Sequence, residues 1–322
     1  MASPAWSHRL LTSSLVASFL ALAHALWPDA EARAENQYLF VITLGYGHLI
    51  GAAVFSRRRL RELAPVGVSP RLFGCFAAVG VANLFALYAW LSNVSVAFFL
   101  SLLSVSLWHI VENDLALESA YDRELALGAL PRGLDRQLAS FGITALLMAV
   151  GQASLTPADY GPALAASPLV GAGRAPMRIA AAACGLALFA TRRRRGLAVA
   201  LAGASLVLPA DLARSLPFGD FFSAVTLYHL VAFLVLFADR ARRLPDRAAR
   251  RHLALRLGWV HLPPAALCVA LLLAPGARLA ALRYAIFSPA IYLFWSVLHV
   301  GQTLAARGIE RRPARASQPA GA

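Results

Sequence analysis

The sequence predicts an all-α, polytopic membrane protein of about ten transmembrane helices, and three observations carry that reading. Of the 322 residues, 59% are hydrophobic, and mean hydropathy is +0.62. Charged residues make up 14%, against roughly 25% in a soluble domain. The apolar residues also stand in blocks of about 18 to 22, long enough to cross a hydrocarbon core of about 30 Å as helices. No stretch shows the period-two alternation of strands.

The first apolar run spans residues 10–27. It reads as an uncleaved span rather than a signal peptide, because pairing it with the next run puts every later basic cluster on one side. Residues 28–37, with Asp29, Glu31 and Glu35, read as a polar loop. The second span is 38–55 and stops at Arg57, Arg58 and Arg59. Spans three (72–91) and four (94–111) are separated only by Ser92 and Asn93, which makes them a tight hairpin. The mixed-charge segment 112–137 is expected to be partly helical through 118–127, and the fifth span is 138–155.

A Pro/Gly/Ala loop at 156–176 leads to two short spans, 177–191 and 196–210, which need extension past their apolar ends to cross a bilayer. The eighth span is 218–238, followed by a basic loop at 239–256. The ninth, 259–274, holds Pro263 and Pro264, which should kink it or delay its start. The tenth is 284–304. Residues 1–306 thus form a single helical transmembrane domain, and the Arg/Pro/Ala segment 307–322 is a disordered basic tail.

Charge placement orients the chain. The net charge is +14, yet the arginines sit in short clusters between apolar runs: 57–59 with 61, 192–195, 240 with 242–243, 250–251 and 311–312. With a cytoplasmic N-terminus, ten spans put all of these on the cytoplasmic side, as the positive-inside rule requires. Both termini are then cytoplasmic, in a cell inner membrane. No folded basic domain remains for a nucleic-acid partner; the expected partners are the lipid bilayer and an apolar, lipid-soluble substrate. Cys75, Cys184 and Cys268 lie singly inside apolar runs and read as small buried hydrophobes. Asp211 and Asp220 flank span ends and read as solvated.

The candidate chemistry lies in four histidines: His48, His109, His229 and His299, on spans two, four, eight and ten. All four spans run in the same direction, and the histidines sit in the middle or the cytoplasmic half. At 1.5 Å per residue their depths differ by roughly 10 Å before tilt. A buried polar residue in a lipid-embedded helix is costly unless something uses it or satisfies it. Neutral imidazoles from facing helices are good ligands for iron, zinc and copper. Each histidine has a polar neighbour able to fix its tautomer: Tyr46, Glu112 with Asp114, Tyr228, and Gln302. Gly45 and Gly47 would let another helix approach near His48. No GxSxG, HExxH, Walker or dinucleotide motif occurs.

Gly45-Tyr46-Gly47-His48-Leu49-Ile50-Gly51, and His109 with Asp114 five residues on, resemble motifs of the retinal-forming β-carotene dioxygenases of the Brp/Blh type. A third motif of that family is a histidine pair four apart; here His229 is present and Phe233 occupies the second place. A late histidine resembles His299, without the acid that follows it in the family. The resemblance implies iron held by histidines from several helices and oxidative cleavage of a carotenoid-like substrate, with His48, His109 and His229 as metal ligands and, since Phe233 replaces the family's second histidine, His299 or Glu112 completing the site. Two other readings stay open: a non-catalytic haem protein with His48 and His299 as axial ligands, and a transport protein whose histidines only bridge helices.

Overall fold

The computed structural model describes residues 4–63, 96–124, 134–155, 168–190, 195–207, 216–273 and 279–287, together with positions 292, 295, 296, 299 and 300. Span three, Asp211, Gln302 and the basic tail lie outside the described residues. Among the described residues every regular element is a helix. In chain order these are α1 (Pro4–Leu26), α2 (Ala30–Leu63), α3 (Val96–Glu124), α4 (Leu134–Ser154), α5 (Pro168–Ala190), α6 (Arg195–Val207), α7 (Phe218–Arg243), α8 (Arg247–Leu273) and α9 (Ala280–Phe287).

Among the described residues, four segments are long and apolar enough to cross a membrane: Ser7–Leu26, Leu134–Ser154, Phe218–Arg243 and Arg247–Leu273. Ala175–Ala190 and Gly196–Leu206 are apolar but shorter. The all-helical, membrane-compatible class is therefore present.

Several helices outrun the apolar runs that announce them. Residues 28–37 are mostly helix, not loop. Pro28 has no N–H to extend α1, which closes with Trp27 N–H donating to Ala23 O at 2.9 Å. Asp29 then caps α2, its Oδ1 accepting the Ala32 N–H at 2.8 Å. The loop expected at 239–256 shrinks to a three-residue turn. Leu244 is extended (φ −68°, ψ 125°), as the residue before a proline prefers. Asp246 caps α8 through the N–H groups of Ala248 and Ala249, at 3.0 and 3.1 Å. The α8 helix starts well before the expected ninth span and runs through Pro263 and Pro264. Likewise α5 passes through Pro176 and reaches 23 residues, the extension that its short apolar run required.

The chain divides into two compact units, Met1–Val41 with Ser95–Arg250, and Ile42–Val94 with Arg251–Ala322. In the first, α7 packs on α1 and α3, α4 on α3 and α5, and α6 on α5. One apolar cluster joins Leu103 and Leu107 of α3 to Met148 of α4 and to Phe218 and Phe221 of α7. A second joins Val111 and Leu115 of α3 to Ala139 of α4, Leu188 of α5 and Leu201 of α6. In the second unit, the later part of α2 meets α8 and α9 through contacts described below.

Buried charges in the first unit are paired between helices far apart in sequence. Asp220, expected to be solvated, is 4% exposed. Its carboxylate accepts from the Arg33 guanidinium at 3.4 and 3.5 Å and from Gln37 Nε2 at 2.8 Å. His24 Nε2 is 3.3 Å away. Arg33 also donates to the carbonyls of Trp27 and Pro28, at 3.2 and 3.3 Å. The correction has a plain cause: an aspartate one turn into a helix that packs its first turn on another helix can find an arginine there instead of water.

Candidate metal centre

The polar end of α3 carries Trp108, His109, Glu112, Asn113 and Asp114. Residues 109, 112 and 113 share one helix face by their spacing. His109 is 4% exposed. Its ring meets that of His229 on α7, with centroids 5.5 Å apart at 67°. His109 Nε2 lies 2.9 Å from the Asn113 side-chain amide, one turn on. In that contact Asn113 Nδ2 donates to Nε2, which holds the ring plane.

The two acids beside His109 are engaged elsewhere. Glu112 accepts from Arg136 of α4 at 3.0 Å. Asp114 Oδ2 accepts from Arg9 of α1 at 2.6 and 3.0 Å, and its Oδ1 accepts from the Tyr228 hydroxyl at 3.0 Å. Each carboxylate thus meets an arginine from another helix, which satisfies a polar helix end set among apolar packing.

The second unit builds a like pair. His48 on α2 and His299 are both buried, and their ring centroids lie 4.9 Å apart at 75°. Gly45 on one face of α2, and Gly47 with Gly51 on another, set this position. A Cβ at Gly47 would come within 2.6 Å of His261 Cδ2 on α8, and one at Gly51 within 3.1 Å of Val260 Cγ1. A Cβ at Gly45 would collide with the Tyr292 hydroxyl. The small residues admit α8 and the tyrosine on either side of His48, the close approach such spacing permits in membranes. Tyr46 donates to Ile286 O at 2.7 Å and packs edge-on against Tyr292. His261 donates from Nδ1 to Leu257 O at 3.0 Å, so its ring serves helix packing.

All four candidate histidines are therefore gathered into pairs, His109 with His229 and His48 with His299. Sequence reading missed Asn113 as the partner of His109, although its i+4 spacing was a usable signal. It also missed Arg9 and Arg136 as partners of the acids, which no local pattern announces. The spacing within each pair has a chemical meaning. Two imidazoles on one tetrahedral ion, at metal–nitrogen distances of about 2.0–2.1 Å, place their centroids roughly 5 Å apart. Two on opposite faces of a haem iron need roughly 6 Å. The His48–His299 pair, at 4.9 Å, lies near the first value, and the His109–His229 pair, at 5.5 Å, lies between the two.

Comparison with protein-family models, with curated proteins and with solved structures finds no match.

Proposed function

We propose that the chain is an inner-membrane metalloprotein of ten spans with both termini cytoplasmic, and that His48, His109, His229 and His299 are its metal ligands. The reaction class that fits is an iron-dependent oxygenase acting on an apolar, carotenoid-like substrate. The carrying observation is the pairing of imidazoles from different helices, with the buried His48 and His299 at the spacing of adjacent ligands on one small ion. The Gly47-His48 and His109…Asp114 resemblance to the Brp/Blh enzymes supports the choice of iron and substrate. Iron bound there would supply dioxygen activation. The chain's part is to hold the rings in place, with partners such as Asn113, and keep bulk water out.

The haem reading is less well served, because the centroid spacing of His48 and His299 falls short of axial ligation. Metal analysis of the purified protein is the test. Near-stoichiometric iron in the native chain, lost by more than tenfold in His48→Ala with His109→Ala, is the expected result. Full retention of metal in that double variant, or a Soret band in the native protein, would sink the proposal.

A further inference from the structure

The turn between α7 and α8 carries five arginines and two aspartates within residues 239–250. Arg240, Arg242, Arg243, Arg247 and Arg250 are all exposed. The two acids are already engaged. Asp239 pairs with Arg243 at 2.7 Å, and both oxygens of Asp246 cap the first N–H groups of α8. Among the described residues no acidic side chain pairs with Arg242, Arg247 or Arg250.

The helix dipoles divide this cluster. Arg240, Arg242 and Arg243 sit in the last turn of α7, where a cation is favourable. Arg247 opens α8 and Arg250 follows one turn on, at the end of the helix where backbone N–H groups already make a positive pole. No acid stands in that first turn. The sequence therefore sets cations where a helix favours anions, a local conflict that an external anion would relieve. The depth of the cluster says where the anion comes from. The α7 helix is long and apolar enough to cross a membrane, and its last large apolar side chain before the arginines is Phe237. At 1.5 Å per residue, Arg240 to Arg243 lie roughly 5 to 9 Å beyond it. A headgroup layer is about 5–8 Å deep on each side of the bilayer, and a guanidinium matches a phosphate with paired N–H donors.

We propose that the α7–α8 turn binds the phosphate headgroups of anionic phospholipids, and that lipid phosphate, not a side chain, offsets the positive end of α8. The site needs a membrane-embedded α7 but no metal. The test compares the full-length protein in nanodiscs of phosphatidylcholine, alone or mixed with phosphatidylglycerol, by melting temperature and by the lipids retained in native mass spectrometry. Phosphatidylglycerol should raise the melting temperature and be retained in preference to phosphatidylcholine. Each arginine at an anionic surface is worth about fivefold in affinity, so Arg242→Gln with Arg247→Gln and Arg250→Gln should cut the preference by about tenfold or more. Arg57→Gln with Arg58→Gln and Arg59→Gln removes the same charge from another cluster and should leave most of it. Arg247→Glu supplies the missing anion within the chain. It should raise the melting temperature in phosphatidylcholine and remove most of the further gain from phosphatidylglycerol. Metal content, read on the same samples, should not follow these changes, so the metal reading stands or falls separately. Equal losses in the two triple variants, no effect of Arg247→Glu, or the same stabilisation by inorganic phosphate in phosphatidylcholine overturns the proposal.

Discussion

His109 on α3 and His229 on α7 hold their ring centroids 5.5 Å apart, and Asn113 contacts the first of them from one helical turn away. If His109 is a metal ligand as proposed, a group that orients its ring without touching the metal should contribute about 10–100-fold to metal affinity. Asn113→Leu should therefore weaken metal binding by about that factor, read by competition with a chromophoric chelator. The melting temperature of the metal-free protein should move little. A large loss of metal-free stability with unchanged affinity would assign Asn113 to packing alone.

The Arg33–Asp220 pair gives a stability prediction with a built-in control. Both side chains are buried, at 8% and 4% exposure. Removing one partner leaves the other charged and desolvated, so Arg33→Met should cost about 3–5 kcal/mol. Replacing both, by Arg33→Met with Asp220→Leu, should recover more than half of that loss. Thermal unfolding of the three proteins in one detergent decides it. A double variant no better than the single would show that the ion pair is not the source of the cost.

Crowding around the α2 glycines predicts a graded series. Gly47→Ala drives a methyl against His261 and should cost about 1–3 kcal/mol. At Gly258 the nearest atom to an added Cβ is Leu262 Cδ1 at 3.7 Å, ordinary contact, so Gly258→Ala should be neutral or stabilising. Metal retention measured in parallel should fall for Gly47→Ala, because His48 is its immediate neighbour. Equal melting temperatures for the two variants would remove the packing argument.

The proposed topology, ten spans with both ends cytoplasmic, makes a prediction. A fluorescent reporter that matures only in the cytoplasm should glow when fused to either terminus, and a periplasm-dependent phosphatase should be silent at both. Opposite behaviour at the two ends would require an odd number of spans.

Much of the fold was legible because hydropathy and length act locally. Membrane class and the apolar helices at 10–27, 138–155 and 218–238 follow from composition alone. Gly45 and Gly47 were readable as positions of close approach, since the absence of a side chain is written in the sequence. What stayed hidden depends on long-range pairing. Residues 28–37 look like loop by polarity, yet Arg33 and Gln37 are polar because Asp220 faces them. Glu112 and Asp114 were expected beside His109 by spacing on one helix. Arginines from α4 and α1 engage them instead, and no pattern within α3 encodes a partner 24 or 105 residues away.

The Asp220 contact also bears on the order of assembly. Arg33 and its carboxylate partner are 187 residues apart. At about 5–20 residues per second of synthesis, the arginine leaves the ribosome roughly ten to forty seconds before its counterion exists. During that interval the first turn of α2 holds a cation that has the carbonyls of Trp27 and Pro28 within reach but not yet Asp220. The contact between Arg33 and α7 therefore cannot form until α7 has been made.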